Sequence, residues 1–276
     1  MKTKRSISCA LCLLAALFVT VAGCSSKDET DGKFSYSSGI DDKGFIKGIK
    51  ALDYVDMFDY RAIPIPNDVH IISDNAVQTE IDSILAEHPA GGNAGDGSDE
   101  RLTDDYVLEY LFDEFGWTTV ENMKADIRSD LRTSATQKYL QDYFITEASV
   151  NDMPDDLVDF QKSVMLESYS DYVQYYYSME LEDYLINYEG FSGVDEFAEL
   201  MHEDFLKNAI YCLVVQAIAE DAGISVSNDD LSDFFAEYEG LSDYSEYEKQ
   251  YGVPYLKQIA LGQMVLDYVM QYAILM

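Results

Sequence analysis

The feature that most constrains the fold is a long succession of helical signals, which begins at Ser73 and continues almost to the C-terminus. Apolar residues recur there every three or four positions, the period of a helix with one buried face. No strand–helix–strand alternation accompanies them, so the pattern argues against a parallel α/β sheet. The sequence therefore predicts a mostly α-helical fold.

Capping residues and glycines predict where these helices begin and end. The predicted starts are Ser73, Thr103, Thr118, Pro154, Ser192, Ser227 and Tyr255. Thr118 and Glu121 have the spacing of a capping box, and Pro154 is expected just inside its helix, where a missing N–H is harmless. That helix is predicted to continue to Tyr188, and the one opened by Ser192 to end at Gly223. The final segment, Ile259–Met276, is interpreted as a buried core helix, because its polar residues leave too short an apolar stretch for a membrane span.

The N-terminus has the order of an export signal. Lys2, Lys4 and Arg5 precede the apolar run Ile7–Ala22, and Val21-Ala22-Gly23-Cys24 resembles the lipobox of bacterial lipoproteins. The resemblance implies that residues 1–23 are a signal peptide and that Cys24 is lipidated after cleavage. Attached acyl chains would hold the protein on the outer face of the cytoplasmic membrane. The alternative is an ordinary secretory signal that happens to contain a cysteine.

The other cysteines are not expected to form a disulfide within the chain or to act as nucleophiles. Cys9 and Cys12 lie in the predicted signal peptide, and Cys24 is expected to carry lipid, so Cys212 has no intrachain disulfide partner. Cys212 belongs to an apolar helical run, so packing is the favoured interpretation over a nucleophilic role.

Composition excludes some functions and offers no cofactor site. The formal net charge of −34 argues against nucleic-acid binding, which needs Lys and Arg to replace counterions. His70, His88 and His202 have no neighbours at metal-ligand spacing, and no phosphate loop or catalytic motif is present. We therefore expect no metal, no cofactor and no catalysed reaction.

Composition shifts divide the chain after the signal peptide into four segments. Residues 24–49 read as a flexible polar tether, and residues 50–88 as an extended arm followed by a helix, since Pro64 and Pro66 favour extended backbone. Residues 89–101 form a glycine-rich linker, and residues 102–276 a helical domain.

Tyrosine and methionine are the one positive chemical signal. Tyr175, Tyr176 and Tyr177 must point in three directions from a helix, so they cannot all be buried. Exposed Tyr and Met side chains can hold unfolded polypeptides without sequence selectivity. The candidate client-contact residues are Tyr172, Tyr175, Tyr176, Met179 and Tyr184. The alternative is that these side chains pack helix against helix.

Several segments, taken in order, resemble trigger factor. Residues 52–54 and 59–65 are similar to its arm-like linker, and residues 73–82 to the helix that follows. Residues 119–131 are similar to the start of its C-terminal chaperone domain, and residues 217–227 to its helix–Gly–Ile–x–Val–Ser junction. The resemblance implies a helical cradle, preceded by an extended arm, that binds unfolded polypeptides.

Two departures from trigger factor change what the resemblance implies. A lipoprotein signal and tether stand where the ribosome-binding domain would be, so no ribosome docking is expected. Only residues 89–101 stand where the family carries a prolyl isomerase of the FKBP type, and a domain cannot fit in that length. The expected function is a lipid-anchored, extracytoplasmic holdase for unfolded or newly exported polypeptides. The alternatives are an adaptor lipoprotein with one envelope or secretion partner and a prolyl isomerase-type foldase.

Overall fold

A computed structural model describes residues 34–88 and 102–276 of the chain. Within these ranges the protein is helical with two short strand pairs, and the predicted mostly α-helical fold is confirmed. The helices are α1 (Asn67–His70), α2 (Asp74–Glu87), α3 (Asp104–Tyr106), α4 (Phe112–Phe115), α5 (Val120–Glu147), α6 (Asp155–Tyr177), α7 (Leu181–Tyr184), α8 (Val194–Leu200), α9 (His202–Ala222), α10 (Asn228–Tyr238), α11 (Ser245–Tyr251) and α12 (Val253–Met270). π-helical turns, Val107–Leu111 and Leu185–Glu189, follow α3 and α7.

The short strands join distant parts of the chain. β1 (Val55–Asp56) pairs antiparallel with β3 (Ser149–Val150), and β2 (Pro64–Ile65) pairs parallel with β4 (Ile274–Leu275). The strand β2 confirms that the prolines favour extended backbone. Ile65 of β2 and the preceding Ile63 are fully buried, so this part of the predicted arm lies against the core.

The main hydrophobic core surrounds α9 and α12. The middle of α9, residues 208–219, and most of α12 are buried on nearly every side, as expected of helices enclosed by others. The second half of α5, the first half of α6, and α10 pack around them. Cys212 of α9 is buried in this core, as its apolar surroundings predicted.

The end of the chain departs from the prediction of a helix to Met276. α12 is buried as expected but ends at Met270, and β4 follows it. The backbone N–H of Ile274 donates to the Ile63 carbonyl at 2.9 Å, and that of Met276 donates to the Ile65 carbonyl at 3.1 Å. Pairing with β2 therefore replaces further helical hydrogen bonds. No helix in the two described ranges combines the length and apolar character needed to cross a membrane.

The predicted tether, residues 24–49, is too long. Tyr36, Ile40 and Ile46 are buried in the main core, and the Ile46 N–H donates to the Gln216 side chain of α9 at 2.7 Å. Residues 34–49 are therefore part of the fold, because their scattered apolar side chains find a site between α9 and α12. Residues 24–33, with Cys24, lie outside the described residues.

A second hydrophobic core lies beneath α2. Val77, Ile81 and Ile84 of α2 pack against Met123 and Ile127 in the first half of α5. The π turn after α3 and the stacked rings of Phe115 and Trp117, 4.3 Å apart, complete this core. Residues of the predicted segments 50–88 and 102–276 therefore pack in one core, and the predicted boundary does not separate two packed units. The linker itself, residues 89–101, lies outside the described residues.

Several predicted helix ends are shifted. The N-cap of α5 is Thr119, whose hydroxyl accepts from the Asn122 N–H at 3.1 Å, so the predicted Thr118 capping box is wrong. Pro154 is the N-cap residue of α6 and not its first helical residue. The predicted helix 192–223 is two helices, α8 and α9, with Gly193 preceding α8 and a break at Met201.

The predicted helix that ends at Tyr188 stops instead at Tyr177. Ser178 takes a left-handed conformation, with φ 53°, and its N–H donates to the Gln174 carbonyl at 3.1 Å. The chain then turns so that Leu181 and Leu185 can be buried against α6. Burial of these two residues explains why a continuous helical pattern is interrupted here.

His88 links the end of α2 to α4. Its Nδ1 lies 2.9 Å from the Ile84 carbonyl oxygen and its Nε2 lies 2.9 Å from a Glu114 carboxylate oxygen. Both neighbours are acceptors, so both contacts are satisfied only by the protonated ring. Partial burial lowers the pKa of His88, but the hydrogen bonds to Glu114 and Ile84 and the charges of Glu114 and Glu87 outweigh it and raise the pKa.

We predict that His88→Gln destabilises the protein in a pH-dependent way. Because the folded-state pKa is raised, the contribution of His88 is complete below the unfolded pKa of ~6.5 and is lost as pH rises through the folded value. The free energy of unfolding from urea titrations should fall by about 1 kcal/mol in mild acid and by less in alkali. His202→Gln, on an exposed histidine, is the control. An equal loss for His88→Gln at all pH values would contradict the prediction.

Candidate functional site

The predicted contact residues lie at the C-terminal end of α6 and on the segment that turns back from it. Tyr172, Tyr175 and Tyr176 are on the last two turns of α6. Ser178 ends that helix, and Tyr184 follows on α7. The turn at Ser178 therefore brings residues of two helices to one surface.

Six tyrosine rings form a continuous cluster on this surface. We call them the tyrosine cluster: Tyr172, Tyr175, Tyr176, Tyr177, Tyr184 and Tyr188. Ring centroids lie 4.8 Å apart for Tyr175 and Tyr176, and 4.7 Å apart for Tyr172 and Tyr176. Tyr177 is 4.7 Å from Tyr184, and Tyr184 stacks on Tyr188 at 5.6 Å. Tyr172 and Tyr177, 6.3 Å apart, join the two halves.

The cluster is exposed. The exposed fraction is 39% for Tyr172, 43% for Tyr175, 56% for Tyr176, 42% for Tyr177 and 64% for Tyr188, whereas Tyr184 is partly buried. All three consecutive tyrosines therefore reach solvent, whereas the sequence argument required only that they are not all buried.

Hydrogen bonds fix the rings relative to one another. The Tyr184 hydroxyl donates to a Glu189 carboxylate oxygen at 2.8 Å, and this bond, with a further one to Tyr177, raises the pKa of Tyr184. The electrostatic interaction with Tyr177, followed by desolvation and a hydrogen bond to Tyr177, raises the pKa of Tyr172. Both phenols stay neutral near neutral pH, so they offer aromatic surface and hydroxyl groups and no nucleophile.

A small third core supports the cluster from beneath. It consists of Val173, Leu181, Leu185 and Phe197, all buried. Met179 is partly buried and packs against this core, so it belongs mainly to the support beneath the cluster and less to the exposed surface. Glycines with positive φ, Gly190 and Gly193, lie between the π turn and α8 and return the chain to α9.

Sequence reasoning omitted Tyr188 from the site, although Tyr184 and Tyr188 have the i, i+4 spacing that places two side chains on one helical face. Tyr177 is not among the candidate client-contact residues either. Tyr169, which is exposed and packs edge-on against Phe197 at 5.1 Å, extends the same aromatic surface along α6.

The surroundings of the cluster are acidic. From Ser163 to Leu206 the sequence contains no Lys or Arg. The acidic residues in that stretch are Glu167, Asp171, Glu180, Glu182, Asp183, Glu189, Asp195, Glu196, Glu199, Glu203 and Asp204. The exposed rings are therefore set in a surface of one charge sign, which opposes association of this surface with a second copy.

Other candidate chemistry is not assembled in the described ranges. There, no group of three or more His, Cys, Asp or Glu side chains could hold a metal ion. Burial raises the pKa of the Cys212 thiol to about 12, which suits a packing role. Cys24, the predicted lipidation site, lies outside the described residues and remains a prediction.

Comparison with known proteins identifies the domain that carries the cluster. The family described as bacterial trigger factor protein (TF) C-terminus matches residues 119–271, which is more than half of the chain and includes every helix from α5 to α12. Comparisons with curated proteins and with solved structures gave no match. The matched region is the chaperone-like C-terminal part of trigger factor and not a catalytic domain. This chain belongs to the trigger factor family through its C-terminal domain.

Proposed function

We propose that this protein is a lipid-anchored, extracytoplasmic holdase that binds unfolded or newly exported polypeptides on the tyrosine cluster. The family supports a chaperone-like function. The observation that carries the proposal is the set of six linked rings, five of them exposed by 39–64%. Exposed aromatic patches of this kind mark interaction sites.

Tyrosine suits a surface that must hold many sequences and stay soluble when empty. Its ring covers apolar surface of a client, while its hydroxyl group remains hydrated. A tyrosine also has few rotatable bonds, so ordering it on binding loses little conformational entropy. The acidic surroundings keep neighbouring copies apart, because exposed rings alone would favour aggregation.

The path of the N-terminal segment supports a role close to a membrane. The Phe34 and Phe160 rings are 6.0 Å apart, and the Tyr36 hydroxyl donates to Asp171 at 3.2 Å. Asp171 directly precedes Tyr172 of the cluster. If Cys24 carries lipid, an extended chain spans at most about 35 Å from Cys24 to Phe34, at ~3.3–3.6 Å per residue. The cluster would then be held near the membrane surface where exported chains emerge.

The first prediction concerns the cluster. Tyr176→Ser should weaken binding of an unfolded client by about three- to tenfold, since one aromatic contact contributes ~0.5–1.5 kcal/mol beyond area burial. The thermal unfolding midpoint should hardly change, because an exposed substitution shifts stability by ~0.5 kcal/mol or less. The measurement is suppression of aggregation of several unrelated unfolded proteins, beside a thermal melt.

Tyr110→Ser is the matched control. Tyr110 is 42% exposed and contacts another tyrosine ring at 5.0 Å, but it lies on the second core, away from the cluster. An equal loss of client binding in Tyr176→Ser and Tyr110→Ser would contradict a role for the cluster. Tight binding of a single partner, without binding of diverse unfolded proteins, would favour the adaptor alternative.

The second prediction concerns the anchor. Cys24→Ala should abolish acylation, because it removes the sulfur that would carry the acyl chains. Metabolic labelling with a fatty acid measures this, and membrane fractionation measures whether the exported protein is released or mislocalised. A variant that still incorporates the fatty acid would refute lipid attachment at Cys24.

The third prediction concerns catalysis. The protein should not accelerate cis–trans exchange of an X–Pro peptide, because residues 89–101 are too few for an isomerase domain. The uncatalysed exchange takes tens of seconds or so, so catalysis is easily detected in a coupled assay. A rate that rises with protein concentration would establish the foldase alternative.

A further inference from the structure

A cleft opens beside the tyrosine cluster, between α6 and the α8–α9 pair. Its volume is about 470 Å³, within the ~300–1,000 Å³ range of ligand pockets. Val158, Ala198 and Phe205 form an apolar floor, and Ala198 and Phe205 are buried. The cleft therefore has room and apolar surface for a large side chain.

The rim of the cleft is polar and carries mostly hydrogen-bond acceptors. Asp159 and Lys162 lie on the α6 side, and Asp195, Glu199 and His202 lie on the α8–α9 side. An extended polypeptide has unpaired backbone N–H groups on both edges. The three carboxylates can accept hydrogen bonds from such N–H groups whatever the sequence, so the rim complements an extended chain better than a folded surface.

The cleft and the tyrosine cluster both lie along α6. Lys162, Tyr169 and Tyr176 are spaced by seven residues, which keeps them close to one face of the helix. Tyr169 bridges the two regions, because its ring packs on Phe197 of α8 at 5.1 Å. Lys162 and Tyr176 are about 21 Å apart along the helix axis at 1.5 Å per residue, the length of about six extended residues.

We propose that this cleft is a second client subsite, which takes one large apolar side chain of an extended segment whose other residues lie on the tyrosine cluster. The inference rests on the proposed holdase function and adds to it a pocket with side-chain preference. The cluster supplies unselective aromatic contact, and the cleft fixes the segment by burying one side chain.

The test uses the full-length lipidated protein in detergent and two short fluorescent Gly–Ser peptides, one with a central Phe and one with Ala in its place. The Phe peptide should bind about tenfold more tightly than the Ala peptide, as expected for burial of one aromatic side chain. His202→Trp, which fills the cleft from its rim, should remove this difference. Leu200→Trp is the control, since Leu200 is 67% exposed and does not line the cleft.

A second measurement, photocrosslinking, locates the bound peptide and does not require the variant in which Trp fills the cleft. A benzophenone amino acid at position 199, in the cleft, should crosslink to the Phe peptide, and the same group at position 200 should crosslink several-fold less. Binding of unfolded carboxymethylated α-lactalbumin, measured in parallel, separates the two proposals. If that protein binds and Tyr176→Ser weakens it, but position 199 does not crosslink and His202→Trp has no effect, the cleft is not a subsite and the holdase proposal stands.

Two other outcomes would also overturn the subsite. Crosslinks from position 199 to a second copy of the chain, in the absence of peptide, would make the cleft a dimer interface. Failure of the wild-type protein to bind either peptide or unfolded α-lactalbumin would refute the holdase function and the subsite together. Thermal melts of both Trp variants check that neither effect comes from unfolding.

Discussion

The closure of the core by the N-terminal segment depends on two polar side chains of α9. The middle of α9 is apolar and enclosed by other elements, yet it carries Gln216, which is buried, and Glu220 one turn later, which is partly buried. The Gln216 side chain accepts from the Ile46 N–H at 2.7 Å and donates to the Ile49 carbonyl at 2.8 Å. Glu220 accepts from the N–H groups of Ala51 and Leu52 at 3.0 and 3.1 Å. These bonds satisfy backbone that has no secondary-structure partner, so an irregular N-terminal segment can close the core without unpaired buried groups.

The same contacts show why part of the fold could not be predicted from the sequence. The helices α2, α5 and α10 follow from their own apolar periodicity, and α2 and α10 begin after the predicted residues Ser73 and Ser227. Residues 34–49 show no period. They fold because their apolar side chains are buried in the main core and because Gln216, far along the chain, pairs with the backbone of Ile46 and Ile49. The turn at Ser178 has the same origin. Locally the pattern is helical, and it is burial of Leu181 and Leu185 that ends the helix.

The sequence predicts that some of the tyrosines on α6 are exposed, but it does not predict how the rings are arranged. Three consecutive tyrosines cannot share one helical face, so some exposure follows from geometry alone. That six rings meet across a helix end depends on the turn at Ser178, which brings Tyr184 and Tyr188 to the end of α6. The side chains named from the sequence lie at this surface, except that Met179 is partly buried below it. The family match extends over this region and agrees with the resemblance drawn from the sequence.

The small core beneath the tyrosine cluster has a mechanical consequence. Four buried side chains hold α7, the π turn and α8 against α6, whereas the main core holds its helices with several times as many. Regions with few buried apolar contacts open at lower free energy than the rest of a structure. The aromatic surface therefore rests on the most compliant part of the described fold. A rigid surface would fit clients of one shape. A surface on a less stable region can adjust to clients of many shapes while the main core stays folded.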